Sequence, residues 1–218
     1  MREFWGILLV CALAIGACQA DQTGIKDYEE ARQVFWSKLY ANGGETLYCA
    51  VPFDDRNRYG LNIEHVFPMS WVTSSLRCGR RAECRERNPR FNRIEADLHN
   101  LFPSRRVINA ARASFRFGDI GGERRDFGSC DFEVDDRQRI VEPRPAVRGE
   151  IARAMFYMQE EYGLVIFRRL GHRLLGWHRA DPPDAEERRR NDEIEKLQGT
   201  RNRFIDRPEL ADTIRFDR

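Results

Sequence analysis

The sequence predicts an α+β fold, mostly helical and confined to a single domain. Three observations carry this expectation. A length of 218 residues supports one good-sized core and is short for two. Several stretches repeat apolar residues at helical spacing. Two short runs, 46–53 and 61–67, are rich in β-forming residues and flank one polar connection, "DDRNRYG".

The opening "MREFWGILLVCALAIGACQADQ" starts on Arg2, continues through apolar residues and ends on small ones, the layout of an export signal over residues 1–20. It is too short to span a bilayer. Cleavage after Ala20 leaves a mature domain over 21–218; Ile15-Gly16-Ala17-Cys18 also has the form of a lipobox, which would place a lipid anchor on Cys18. Under either reading Cys49, Cys78, Cys84 and Cys130 remain, and four cysteines in an exported chain imply two disulfides. Loop length favours Cys78 with Cys84 and hence Cys49 with Cys130, although three connectivities are open. No pair has the tight spacing of a structural zinc site.

In "DYEEARQVFWSKLY", Tyr28, Ala31, Phe35 and Leu39 share a helical face, and Asn42-Gly43-Gly44 ends the helix. The two β-rich runs then read as a hairpin. Residues 72–93 read as an irregular basic loop stapled by Cys78 and Cys84 and carrying Arg77, Arg80, Arg81, Arg85, Arg87, Arg90 and Arg93. A helix is expected over 103–117, with Ser104 as its cap, Val107, Ile108, Ala111 and Phe115 facing inward and Arg105, Asn109, Arg112 and Arg116 facing outward. Residues 118–128 form a glycine-punctuated loop without a phosphate-loop pattern. Over 147–163, Ile151, Met155, Met158 and Tyr162 mark a buried helix, and 178–199 pass from a Pro-Asp break into a charged helix with Ile194 and Leu197 inward. The polar tail beyond Gly199 reads as loosely held.

The net charge of +2 does not announce a polyanion binder. The kind of cation says more: lysine occurs only at 26, 38 and 196, and arginine's planar fork suits phosphate. Genomic base composition also raises arginine, so this observation is evenly balanced by itself. Chemistry enters with Glu64, His65 and Asn109, brought together by a strand-strand-helix unit. Neighbours on a strand point to opposite sides, so Glu64 and His65 can straddle a phosphodiester. An imidazole accepts a proton near neutral pH. A carboxylate and an amide oxygen are hard ligands suited to Mg²⁺. The dipeptide alone is weak evidence, since such a histidine is more often a hydrogen-bonded core residue. There is no H-E-x-x-H of a metalloprotease and no recognition helix or zinc-finger signature.

"IEHVFP", "RIEADLHNLFPS", Asn109 after it, "RGEIARAMFYM" and "KLQGTRNRF" together resemble the endonuclease I family of exported bacterial nucleases, with gaps, from about residue 27 to 206. The resemblance implies a ββα-metal (His-Me finger) core with His65 as general base and Glu64 and Asn109 holding one divalent ion, Mg²⁺, or alternatively Mn²⁺ or Ca²⁺. It also implies that Arg81 steadies the phosphate, with Arg80 near enough to compete. Glu95 matches a carboxylate near the family's cleft, where it would support the metal through water or stand on the surface. His99 and Asn100 are expected to pin helix and hairpin together. DNA and RNA are the implied substrates, cut with little sequence preference to 5′-phosphate and 3′-hydroxyl ends and held at their phosphates by Arg80, Arg112 and Arg116. A monomer without a stable protein partner is expected. The competing reading is an exported binder of nucleic acid that does not cut it. Two departures stand out: Asn62 replaces a carboxylate common in relatives, and the loop between Cys78 and Cys84 is short.

Overall fold

The computed structural model describes residues 22–216; the export signal and Cys18 lie outside them. The α+β class holds. Helix α1 (Tyr28–Val34) continues as a π-helical turn over Phe35–Leu39. Strands β1 (Gly44–Glu45) and β2 (Pro52–Phe53) form a small ribbon. Strand β3 (Leu61–His65) is followed by three short helices, α2 (Met69–Leu76), α3 (Arg81–Arg87) and α4 (Pro89–Glu95). Then come β4 (Leu101–Arg105), α5 (Arg106–Arg112), β5 (Arg116–Phe117), β6 (Phe132–Asp135) and β7 (Ile140–Pro143). Helices α6 (Arg148–Tyr162), α7 (Arg168–Ala180), α8 (Ala185–Gln198) and α9 (Arg203–Asp206) complete the chain.

The pairing of β3 corrects the expected hairpin. Its partner is β4, antiparallel, in a register from Leu61 opposite Arg105 to His65 opposite Leu101. Residues 46–50 instead make a turn closed by Val51 N–H donating to Thr46 Oγ1 and anchored by the Cys49–Cys130 disulfide. Residues 103–105, expected to begin a helix, belong to β4, where Leu101 and Phe102 bury on opposite faces against two separate apolar clusters. The helix therefore starts later, at Arg106, without a side-chain cap from Ser104, and Val107 is exposed rather than inward. The expected basic loop is helical: Asn88 caps α4 by accepting from Phe91 N–H, Pro89 occupies its first position, and Phe91 and Ile94 are fully buried. The Cys78–Cys84 bridge joins α2 to α3.

Helix α6 is the axis of the larger cluster. Ile151, Met155 and Met158 are fully buried, each worth about 1.5–3 kcal/mol relative to exposure, so packing rather than propensity holds it. Two regions carry no sequence-based expectation: 129–146, which forms β6 and β7 in a sheet of order β5-β7-β6, and 164–177, where α7 begins. In α7 Leu170, Leu174 and Trp177 bury one face. The tail beyond Gly199 is not loose, since Phe204 and Ile205 are buried and Asn202 donates to Arg153 O.

One buried carboxylate fixes the turn leading into β4. Asp97 accepts from the hydroxyls of Tyr157 (2.9 Å) and Tyr162 (2.6 Å), from Gln198 Nε2 (2.8 Å) and from His99 N–H (2.9 Å). Asn100 bonds both backbone groups of Phe67, and His99 Nε2 bonds Thr200 O. Asp97→Ala strands at least three buried donors at about 1–3 kcal/mol each; urea unfolding should show a loss of about 3 kcal/mol or more, and a change under 1 kcal/mol would refute this role.

Candidate active site

The β3–β4 ribbon lies between the two apolar clusters, and its alternation sorts the polar side chains. Leu61, Ile63 and His65 face α1 and α4, whereas Asn62 and Glu64 face α5. Because α5 leaves β4 directly, with Arg106 N–H donating to Gly60 O (2.8 Å), its first turns lie against β3. A cleft of about 850 Å³ opens here, lined among others by Asn62, Glu64, His65, Asn109, Arg80, Arg81, Arg85 and Arg106.

His65 Nε2 lies 3.0 Å from the backbone oxygen of Glu95. A carbonyl only accepts, so Nε2 carries the proton and Nδ1 keeps the lone pair. The ring packs beside Tyr28, with centroids 5.1 Å apart. Burial above all, followed by the neighbouring Arg81, pushes its pKa down to about 3, so the imidazole is neutral wherever the protein works.

Glu64 is buried, and its Oε1 accepts from the Tyr48 hydroxyl (2.8 Å) and lies 3.3 Å from Arg112 Nε. Burial raises its pKa; Arg112 and Tyr48 oppose that rise. Asn109 donates through Nδ2 to Asn62 Oδ1 (3.0 Å) and to Ile63 O (3.1 Å). With its nitrogen committed to β3, the amide leaves Oδ1 as its remaining acceptor, and the residue lines the same cleft as Glu64. A carboxylate and an amide oxygen so placed fit a hard cation that keeps most of its waters. Asn62 thus stands next to this pair as a neutral anchor for Asn109.

Glu95, expected either to support a metal through water or to stand on the surface, is buried and anchors arginine. Its carboxylate is fully buried and holds Arg81 Nε and, at 2.7 and 2.9 Å, Arg85 Nε and Nη2. Both oxygens accept from guanidinium groups. Both guanidinium groups also lie over the Tyr28 ring, at 5.5 and 5.3 Å. Arg81 and Arg85 stay nearly half exposed and line the cleft. Arg80, at the cap of α3, pairs loosely with Glu83 and reaches solvent beside them.

Arg112 and Arg116 do not join this set. Arg112 is fully buried behind Glu64, donating to Val66 O and Ala113 O, one turn beyond the buried Ile108 on the same side of α5. Arg116 is exposed on β5 but lines a neighbouring cavity with Arg139, Arg169 and Arg173. Sequence reading missed Tyr48, Arg85 and Arg106. Arg85 was within reach, since Arg81 and Arg85 are four apart and share a face once 81–87 is recognised as helix.

Cations that face outward around an imidazole held neutral are suited to cutting a phosphodiester, not merely to gripping it, and such a cleft defines a nuclease. The comparison with known proteins agrees. The endonuclease I family profile matches residues 15–209, and the chain belongs to this family. It is 33% identical to an extracellular deoxyribonuclease of Aeromonas hydrophila, over 94% of this chain and 98% of the relative. It is 36% identical to a periplasmic deoxyribonuclease of the same species, over 78% and 81%. An extracellular ribonuclease of Bacillus subtilis (strain 168) is 35% identical, over 54% of this chain and 46% of the relative.

Glu95→Gln spares the backbone carbonyl that orients His65 but releases the arginines. Turnover on an oligonucleotide is expected to fall about tenfold through misplacement, while affinity, measured by fluorescence anisotropy, holds or rises with the added positive charge. A wild-type turnover number would show that the clamp is idle.

Proposed function

We propose that the protein is an exported endonuclease that hydrolyses phosphodiester bonds of DNA, and of RNA, with little sequence preference, using His65 as general base and one divalent ion, Mg²⁺ first among the candidates. The observation that carries this reading is the bond from His65 Nε2 to Glu95 O, which leaves a neutral Nδ1 available to the cleft that holds Glu64 and Asn109. Export is supported by the signal-like residues 1–20, by two disulfides of a kind that persists in oxidising compartments, and by the extracellular and periplasmic relatives. No described helix is long and apolar enough to cross a membrane. The ribonuclease relative supports RNA as a second substrate.

In the proposed reaction Nδ1 of His65 takes a proton from the attacking water, and Arg81, held by Glu95, steadies the phosphate. Glu64 and Asn109 Oδ1 would hold the ion, which when bound supplies charge stabilisation for the leaving oxygen. Arg112 has a supporting role: a cation behind Glu64 favours the ionised carboxylate that a metal ligand must be. Arg80, Arg85 and Arg106 are proposed as further phosphate contacts, so affinity should fall steeply with salt and vary little with sequence.

Incubating supercoiled plasmid with Mg²⁺ should nick it, and EDTA should stop the nicking. His65→Ala should abolish cleavage while leaving oligonucleotide binding nearly intact; undiminished cleavage by that variant rejects the base assignment. A band shift without nicking would instead establish the non-cutting binder.

Metal dependence gives a separate check. Tyr48→Phe removes a hydrogen bond to Glu64 without changing shape and should raise the Mg²⁺ concentration for half-maximal activity about tenfold or more. Asn62→Asp restores a nearby negative charge and should lower that concentration. An unchanged Mg²⁺ requirement in both variants would move the ion elsewhere.

A further inference from the structure

We propose that Glu123, Asp131 and Glu133 form a structural Ca²⁺ site, separate from the cleft, that ties the glycine-punctuated segment 118–128 to the β6–β7 ribbon. One carboxylate oxygen from each lies within 4.8 Å of the others. At Ca–O distances of about 2.3–2.6 Å, ligands around a single ion are up to about 5 Å apart, so the three can share one.

Although the chain has 37 lysines and arginines, none of these carboxylates takes an ion pair or side-chain hydrogen bond among the described residues. The neighbouring cations are committed elsewhere: Arg124 to Asp126 and Val134 O, Arg148 to Glu142 and Pro143 O. Glu133 carries the argument furthest. It is 2% exposed, and its Oε1 is buried without a partner. A buried carboxylate left so is costly and is normally paired, protonated or bound to metal.

Placement gives the ion a function. Asp131 follows Cys130 of the long disulfide, Glu133 faces Glu142 across the β6–β7 ribbon, and Glu123 lies on a segment with few apolar anchors. Bridging them would fasten that segment to the best-anchored part of the sheet. Calcium suits the site better than magnesium. It accepts several carboxylates in irregular geometry, whereas Mg²⁺ demands near-octahedral order and usually takes one or two. Sites in exported proteins work in the range of about 10⁻⁴–10⁻³ M.

The test uses the full chain carrying Asn109→Ala, to weaken binding in the cleft. Calorimetric titration with CaCl₂ should give one site with Kd of about 10⁻⁴–10⁻³ M, and Ca²⁺ at about ten times Kd should raise Tm by about 3–6 °C. Adding E123Q and D131N should abolish both signals. Glu133→Gln should raise Tm in EDTA by relieving repulsion and should lose the Ca²⁺ response. Absence of binding in the Asn109→Ala protein, or equal Ca²⁺ affinity after E123Q and D131N are added, overturns the proposal. Neither result touches the nuclease reading, whose readout is plasmid nicking.

Discussion

The antiparallel pairing of β3 with β4 is the constraint from which the cleft follows. Five residue pairs in one register set which way each side chain points, and a shift of one would exchange Glu64 and His65 between the two faces. The same pairing delivers α5, because β4 runs into that helix without a loop. Asn109 meets β3 for this reason, and its bond to Ile63 O is a consequence of register as much as of its own chemistry. The turn before β4 is held from the opposite side by Asp97, Asn100 and the tyrosines of α6, so the core of the molecule and the geometry of the cleft depend on one short segment, 97–105.

Glu95 adds a second coupling. Its backbone oxygen decides which nitrogen of His65 is basic, and its carboxylate decides where Arg81 and Arg85 sit. His65 and the two cleft arginines are therefore positioned by one residue at the C-terminus of α4. That helix is in turn fixed by Asn88, Pro89 and the burial of Phe91 and Ile94. A carboxylate shared by two half-exposed arginines adds little to stability, because solvent screens them. Its contribution is to hold the forks in place before a phosphate arrives.

Legibility in the sequence followed the range of the interactions. Helices with a local apolar stripe, α1, α6 and α8, could be read directly, as could the start of β3. The partner of β3 could not, because residues 61–65 and 101–105 are far apart and nothing local distinguishes Leu101-Phe102-Pro103 from a helix start. The helix start was placed too early for the same reason, and the buried side of α5 runs through Ile108 and Arg112, leaving Val107 outside it. At the site, Glu64, His65 and Asn109 were found through chemistry and resemblance together. Tyr48 was not, since its bond to Glu64 depends on a turn anchored by the Cys49–Cys130 bridge. Glu95 was noticed for its neighbourhood, but its two arginine partners were not.

The excess of arginine over lysine has an explanation beyond nucleic acid. Arg112, Arg153 and Arg190 are all almost fully buried. Arg190 Nη2 donates to Leu98 O and Leu101 O, at 2.6 Å each; Arg153 Nη1 donates to Asp181 O, and Arg112 Nη1 to Ala113 O. Short helices and two-residue strands leave many carbonyls without a ladder partner, and a buried carbonyl must find a donor. A planar fork with five N–H groups can serve two such oxygens and a carboxylate at once, which an ammonium cannot do with the same rigidity. Arginine therefore holds together an interior of irregular segments. Among the remaining cations Arg80, Arg81, Arg85 and Arg106 line the cleft, which is why a chain with a net charge of only +2 can still present positive charge there.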